Sequence, residues 1–248
     1  MLYLFLLAPI LVVAVISFDT QSTMAFPPQG FSLQWYERLA QNEEFITGFK
    51  VSGIVGGGVA LLALALGVPV AVALTRYEFR FRELLSGFFL SPLMVPGIVL
   101  GLALLLVLAP VGITGTYGGL IVAHLAITVP YVIRTASMSL MTMNRSCEEA
   151  ARTLGASAWT TFRRVTLPLI APGVLAGGVI AFLISFDEAV ISLFVVGPQA
   201  TTLPVEIFHY VETRTDPQIA ALSVVLIAIS IVFVVIIERA AGLRKVLR

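Results

Sequence analysis

Charge is what this chain has least of. Only 12% of its 248 residues are Asp, Glu, Lys or Arg, the formal net charge is +1, and 58% of the residues are hydrophobic, with a mean hydropathy of +1.01. A soluble domain carries roughly a quarter charged residues, so this balance excludes one and describes an integral membrane protein. No basic stripe interleaved with aromatics occurs, which leaves no footprint for nucleic acid. The single cysteine, Cys147, has no partner for a disulfide within the chain. No G-x-x-x-x-G-K-[ST] run is present, so the chain has no phosphate-binding loop for ATP. Zinc-type spacings and H-E-x-x-H are absent, and the two histidines, His124 and His209, fall on different segments. The chain is therefore not read as an enzyme, and no metal or other cofactor is assigned to it.

What it has in quantity is apolar runs of membrane-crossing length, about 20 residues at a rise of about 1.5 Å each. Six are expected to span: 2–18, 51–75, 84–108, 117–137, 169–196 and 219–237. This predicts an all-α integral membrane protein with six transmembrane helices. Its parts are a first helix and external loop (1–49), a transmembrane domain (50–238) and a basic tail (239–248). A cleaved signal peptide competes for the first run, but a basic leader and a small-residue cleavage site are missing. No Lys or Arg precedes that run, so a short cytoplasmic segment ahead of Met1 is expected.

Between the runs, Pro27, Pro28 and Gly30 followed by Trp35, Tyr36 and Phe45 suggest an external loop with a short interfacial helix. A second external loop is expected over 197–217. Gly53, Gly56, Gly57 and Gly58 open the second span and read as close helix packing. Pro92, Pro96 and Gly97 interrupt the third, which is tolerated only where protein or a water-filled cavity receives the freed backbone groups. Arg76, Arg80 and Arg82, then Arg134, Arg145, Arg152, Arg163 and Arg164, then Arg239, Arg244, Lys245 and Arg248 fall on one side. Only Arg38, Lys50 and Arg214 fall on the other. The bias predicts both termini in the cytoplasm.

Ionisable groups inside the spans are few. His124 is read as a hydrogen bond between helices in preference to a proton relay. Asp187 and Glu188 fall in the outer part of the fifth span, where a carboxylate costs several kcal/mol unless it meets water or a partner. They are either hydrated near the outer interface, paired with a basic group on a partner, or lining a pathway.

The polar stretch from Glu149 to Pro168 joins the fourth and fifth spans. Ser146–Leu154 is expected to be helical, Gly155 to end that helix, Ser157 to cap a second, and Pro168 to close the second. Ala150 and Ala151 leave a bare surface beside Glu149. Glu148 and Arg152, four apart, read as a solvated helix pair worth a few tenths of a kcal/mol.

The order Glu149-Ala150-Ala151, three residues, Gly155, nine residues, Val165, one residue, Leu167-Pro168 resembles the EAA loop of ABC importer permeases, with Val165 where isoleucine is usual. The resemblance implies the type I ABC importer permease fold and a coupling helix seated in a cytoplasmic ATPase, with Glu149, Gly155 and Pro168 setting its contact and shape. The run from Ser185 to Phe208, with Gly30 to Leu39, is similar to the permeases of spermidine/putrescine import systems. That implies a bacterial inner-membrane subunit acting with an ABC ATPase dimer that holds ATP and Mg, a second related permease and an external substrate-binding protein. It also implies a polyamine as cargo, with Asp187 or Glu188 meeting an ammonium group and Phe182, Phe186 or Tyr131 offering ring faces. The competing class is a self-contained secondary transporter using Asp187, Glu188 and His124 for ion coupling, although no inverted repeat supports it. A membrane scaffold is the third.

Overall fold

The structure is a computed structural model that describes the backbone of residues 2–241 and the side chains of 5–232. Met1 and the side chains of the expected basic tail, 239–248, lie outside the described residues. Two compact units divide the chain: Met1–Gly48 with Val205–Arg248, and Phe49–Pro204. Among the described residues there is no β-strand, only one isolated bridge between Gly197 and Ala200.

The first unit holds α1 (Leu2–Ile16), α2 (Gln34–Gln41), the start of α3 (Glu43–Arg76), α11 (Leu203–Thr213, from Val205) and α12 (Gln218–Ala241). The interfacial helix expected near Trp35 is α2. Trp35 is buried and its indole N–H donates to the carbonyl of Asp19 at 2.7 Å, while Tyr36 OH shares a 2.7 Å hydrogen bond with Ser17. These bonds satisfy the polar ends of two amphipathic rings whose bodies are covered. Nearby, Phe45 and Tyr210 pack with centroids 5.0 Å apart, and Tyr210 donates to the Asp216 carboxylate at 2.8 Å. The loop expected over 197–217 thus carries a helix, α11.

The second unit contains the rest of α3, then α4 (Arg82–Leu90), α5 (Gly97–Leu108), α6 (Tyr117–Thr142), α7 (Ser146–Thr153), α8 (Ala158–Thr161), α9 (Leu167–Asp187) and α10 (Val190–Val195). Helix α3 is one element of 34 residues, so its water-side end starts at Glu43, earlier than the expected residue 51. Among the described residues three helical runs are long and apolar enough to cross a membrane, Glu43–Arg76, Tyr117–Thr142 and Ala158–Asp187. A fourth is counted if Arg82–Met94 and Gly97–Leu108, bent by 109°, make one span. The first and sixth expected spans are the shorter apolar helices Phe5–Ile16 and Gln218–Val232 among the described residues. The bend follows from chemistry: Ser91–Met94 tightens to a 3-10 turn, Val95 is extended, and Pro92 and Pro96 offer no backbone donors.

Helix α6 is the centre of this unit and packs antiparallel to α9. Gly173 and Gly177 make the approach possible, because a Cβ at either would collide with the hydroxyl of Ser139 or Thr135 on α6. Backbone closeness of this kind gives van der Waals contact where lipid offers no hydrophobic drive. Gly67 of α3 likewise meets Val132, Gly56 meets the Phe182 ring and Gly58 meets Ile121, whereas Gly53 and Gly57 face nothing within 4 Å. The expectation that all four opening glycines of this helix pack is thus corrected to two of them. Around these contacts Val132, Ile133, Ala136, Leu140, Ala71 and Ile170 are buried as one cluster, and Val55, Val59, Leu120, Ile191 and Val195 as another.

Candidate functional site

Two groups of side chains have chemistry to offer, and they lie at opposite ends of the α6–α9 pair. The first is the polar elbow between the two helices. Asn144 Oδ1 accepts the Ser146 N–H at 3.0 Å, starting α7. Glu148 and Glu149 fall in its first turn and Arg152 in its last, the arrangement the helix dipole favours. At its end the N–H of Gly155 reaches the Arg152 carbonyl at 2.9 Å and that of Ala156 reaches Ala151 at 3.1 Å. These are the two bonds of a Schellman cap, and Gly155 takes the left-handed φ of +84° that the cap requires. Ser157 then accepts the Thr160 N–H at 3.2 Å and caps α8. Both sequence-read punctuation marks are therefore in place.

Pro168 is not. It was expected to close the second short helix, yet Ala158 to Asp187 is one helical run. The reason is the π turn at Phe162–Thr166, in which the Leu167 N–H reaches back five residues to Phe162. The wider turn shifts the carbonyls that the proline ring would otherwise strike, and Pro168 sits in the first turn of α9, where it has no donor to lose.

Glu148 also differs from its expected place on a solvated face opposite Arg152. It points inward and is buried. Its Oε2 lies 2.9 Å from Arg76 Nε at the end of α3, with side-chain exposures of 12% for Arg76 and 8% for Glu148. Its Oε1 accepts the Thr166 hydroxyl at 2.7 Å from the π turn. Arg76 in turn donates through Nη2 to the Leu140 carbonyl on α6 at 3.0 Å. With Glu148 turned in, Glu149 and Ala150 face out and Ala151 is half covered. Beside them Leu154 is 88% exposed and Trp159 66% exposed.

The second group lies where the fifth expected span breaks. Helix α9 ends at Asp187, Glu188 is extended, and α10 begins at Val190, so Asp187 closes one helix and Glu188 sits in the gap before the next. Glu188 is committed locally: its Oε1 accepts the Ile191 N–H at 2.9 Å, and its carbonyl accepts the Ser192 hydroxyl at 2.6 Å. A carboxylate capping a helix start answers the cost of placing it in an apolar run. Asp187 is exposed. Phe186 stacks on Phe182, centroids 5.8 Å apart, and meets Phe49 edge-on at 5.5 Å. His124 is wholly buried, with Nδ1 2.8 Å from Ser185 Oγ and Nε2 3.0 Å from Ser192 Oγ. The interhelical hydrogen bond expected of it is present, and both ring nitrogens are occupied. Phe186, Asp187 and Glu188 are thus together, while Tyr131 lies on α6 seven residues past His124, about 10 Å further along. A crevice of about 830 Å³ includes none of the four and is lined by Arg80, Arg82 and Arg134 with Glu78 and Glu83.

Residues 62–243 match the family described as the binding-protein-dependent transport system inner membrane component. The chain belongs to that family. Its relatives include the spermidine/putrescine transport system permease protein PotC of Escherichia coli (strain K12), 34% identical over 94% of this chain and 88% of that one. The putrescine transport system permease protein PotI of the same strain is 34% identical over 91% of this chain and 82% of that one. Among solved structures, a bacterial ABC transporter involved in the import of the acidic polysaccharide alginate superposes with a TM-score of 0.72. That match covers 95% of this chain and 91% of the other at 17% identity, and it shows a shared fold. Family membership sets aside both the secondary transporter and the scaffold. The occupied nitrogens of His124 agree, since a ring held by two serines is not offered to a travelling ion.

Sequence reasoning missed the Arg76–Glu148–Thr166 group. The only signal was weak: Glu148 and Ala151 are three apart, on the face of α7 opposite Glu149 and Ala150.

Proposed function

We propose that this family member is the permease subunit of an importer for polyamines, driven by ATP hydrolysed on a separate ATPase dimer. It works in the bacterial inner membrane beside a second permease and an external substrate-binding protein. Six helical crossings are proposed, with α1 and α12 as the first and last, the Arg-rich end of the second unit in the cytoplasm and both termini there. Residues 1–49 and 50–238 keep their roles as leading helix with external loop and as transmembrane domain, and 239–248 as a cytoplasmic basic tail.

The observation that carries the reading is the exposed face of the elbow. Leu154 and Trp159 are large apolar side chains left uncovered on a stretch too polar to lie in lipid, beside Glu149 and Ala150. Such a patch is a docking surface for protein. In this reading Glu149, Ala150, Ala151, Gly155, Leu167 and Pro168 form the ATPase-coupling loop, and the ATPase dimer supplies ATP and Mg chemistry. Phe186, Asp187, Glu188 and Tyr131 are candidates for the substrate pathway. The polyamine assignment is supported by the relatives named above and by the pairing of carboxylates with rings at the α9–α10 break, which suits ammonium groups.

Uptake of labelled putrescine and spermidine by cells carrying the complete transporter tests the cargo. Asp187→Asn or Glu188→Gln is expected to raise the apparent KM about tenfold, the loss of one charge-assisted contact. Unchanged affinity in both variants removes these carboxylates from the pathway.

A further inference from the structure

Of the charged side chains in the second unit, Arg76 and Glu148 are the pair that the structure draws inward. Arg76 ends the apolar helix α3 and Glu148 lies in the first turn of the polar helix α7, and either charge would be hydrated at no cost by turning outward. Instead they meet across a sequence separation of 72 residues, under nearly complete cover. The Arg76 Nε–H is not aligned for a hydrogen bond to Glu148 and has no other partner, so the contact is Coulombic. Burying an ion pair is an inefficient way to gain stability, because desolvation of both groups offsets their attraction. What such a pair supplies is register between the elements that carry it.

Those elements are four. Arg76 ends α3, Glu148 stands on the inner face of α7, Thr166 closes the π turn leading into α9, and Leu140 lies near the end of α6. Covalent continuity already joins α7 to α6 through a short link and to α9 through α8. The chain joins α7 to α3 only by way of α4, α5 and α6. A small crevice of about 110 Å³ beside the pair, lined also by Tyr77, Arg145, Glu149 and Arg152, places two further guanidinium groups and a second carboxylate within the same neighbourhood. Glu148 nevertheless takes the arginine of the distant helix.

We infer that Arg76, Glu148 and Thr166 form a latch that fastens the elbow helix α7 to the ends of α3 and α9, so that a displacement of α7 moves both helices together. This deepens the coupling role proposed above and rests on it. Glu149 and its exposed neighbours receive the ATPase, while Glu148, one residue earlier and about 100° around the helix, grips the membrane helices. Neighbouring positions on a single turn therefore divide docking from transmission. Arg76, Glu148 and Thr166 are positioning residues, which touch neither solute nor nucleotide.

The test uses the complete transporter in proteoliposomes, with labelled solute uptake and ATP hydrolysis measured together. Arg76→Gln, Glu148→Gln and Thr166→Val are expected to lower solute moved per ATP hydrolysed, about tenfold for the charged residues, while hydrolysis stimulated by the binding protein falls less than about twofold. A merely structural role would lower the amount of protein and both activities in step, leaving that ratio unchanged. Where the single variants assemble poorly, a Cys147→Ser chain carrying Arg76→Cys and Glu148→Cys is joined by a short bifunctional thiol reagent. The joined protein is expected to regain the ratio that the unjoined one loses. A wild-type ratio in both charge variants, or no recovery on joining, overturns the latch. Leu154→Cys in the Cys147→Ser chain separates the two readings. If it cross-links to the ATPase while the Arg76→Gln and Glu148→Gln variants keep a normal ratio, only the latch falls. If it never does so in native membranes, the coupling role itself falls, and the latch with it.

Discussion

His124 shows how much a single buried ring can settle. Ser192 has one hydroxyl hydrogen, and at 2.6 Å it is given to the Glu188 carbonyl. The oxygen can then only accept from His124 Nε2, 3.0 Å away, so the ring carries its proton there and Nδ1 accepts from Ser185 at 2.8 Å. One neutral tautomer thereby ties α6, α9 and α10 together at the break. His124→Leu leaves the Ser185 hydroxyl without its partner, and a loss of about 1–3 kcal/mol of stability is expected, read as a lower unfolding midpoint of the detergent-solubilised transporter. Because the two groups act as a unit, adding Ser185→Ala to His124→Leu should cost less than the sum of the single changes. Additive losses would show that the pair is not coupled. The sequence identified the histidine as an interhelical bond but not its partners, since serines 61 and 68 residues away carry no local sign of where a fold will bring them.

At the scale of elements, the elbow was legible where local chemistry governs and illegible where tertiary contact does. Gly155 and Ser157 fall where backbone geometry and capping put them. Pro168 was misplaced because a proline need not end a helix: Pro69, Pro130 and Pro172 also lie inside helices, and at Pro168 the preceding turn is π. Glu148 was read as solvated because its partner lies on another helix. The Asp187–Glu188 break was hidden inside an apolar run, since hydropathy records polarity and not direction. Gly155 is the sharpest local test. Its φ of +84° strains any side chain, so Gly155→Ala is expected to destabilise the cap by about 1 kcal/mol and to weaken coupled uptake. Gly155→Pro cannot take that φ at all and is expected to abolish ATP-driven uptake while the protein still inserts into the membrane. Normal transport by the proline variant would show that the angle between α7 and α8 has no part in coupling.

The same difference between composition and geometry holds for the molecule. Six apolar runs were visible; among the described residues three helices qualify as spans by length and a fourth is folded at 109°, a bend that apolar character does not report. What composition did convey is that the chain has no phosphate-binding loop, so any work from ATP must enter from outside. In the second unit α9 runs from the elbow to the break at Asp187, about 30 Å of continuous helix, which makes it the rod along which that work can travel. In the proposed reading the entry point is the uncovered patch at Leu154 and Trp159. Burying one such side chain against a partner is worth about 1.5–3 kcal/mol, roughly ten- to a hundredfold in affinity. Leu154→Ser and Trp159→Ser should each therefore weaken retention of the ATPase by about that factor during purification, with the amount of inserted permease unchanged. Proteoliposomes then complete the argument. With the ATPase, the second permease and the binding protein present, solute should accumulate on addition of ATP, and the two variants should need proportionally more ATPase to reach the same rate. With this chain alone, an imposed ion gradient should move nothing. Gradient-driven uptake by the isolated chain would mean that the patch covers something other than an engine.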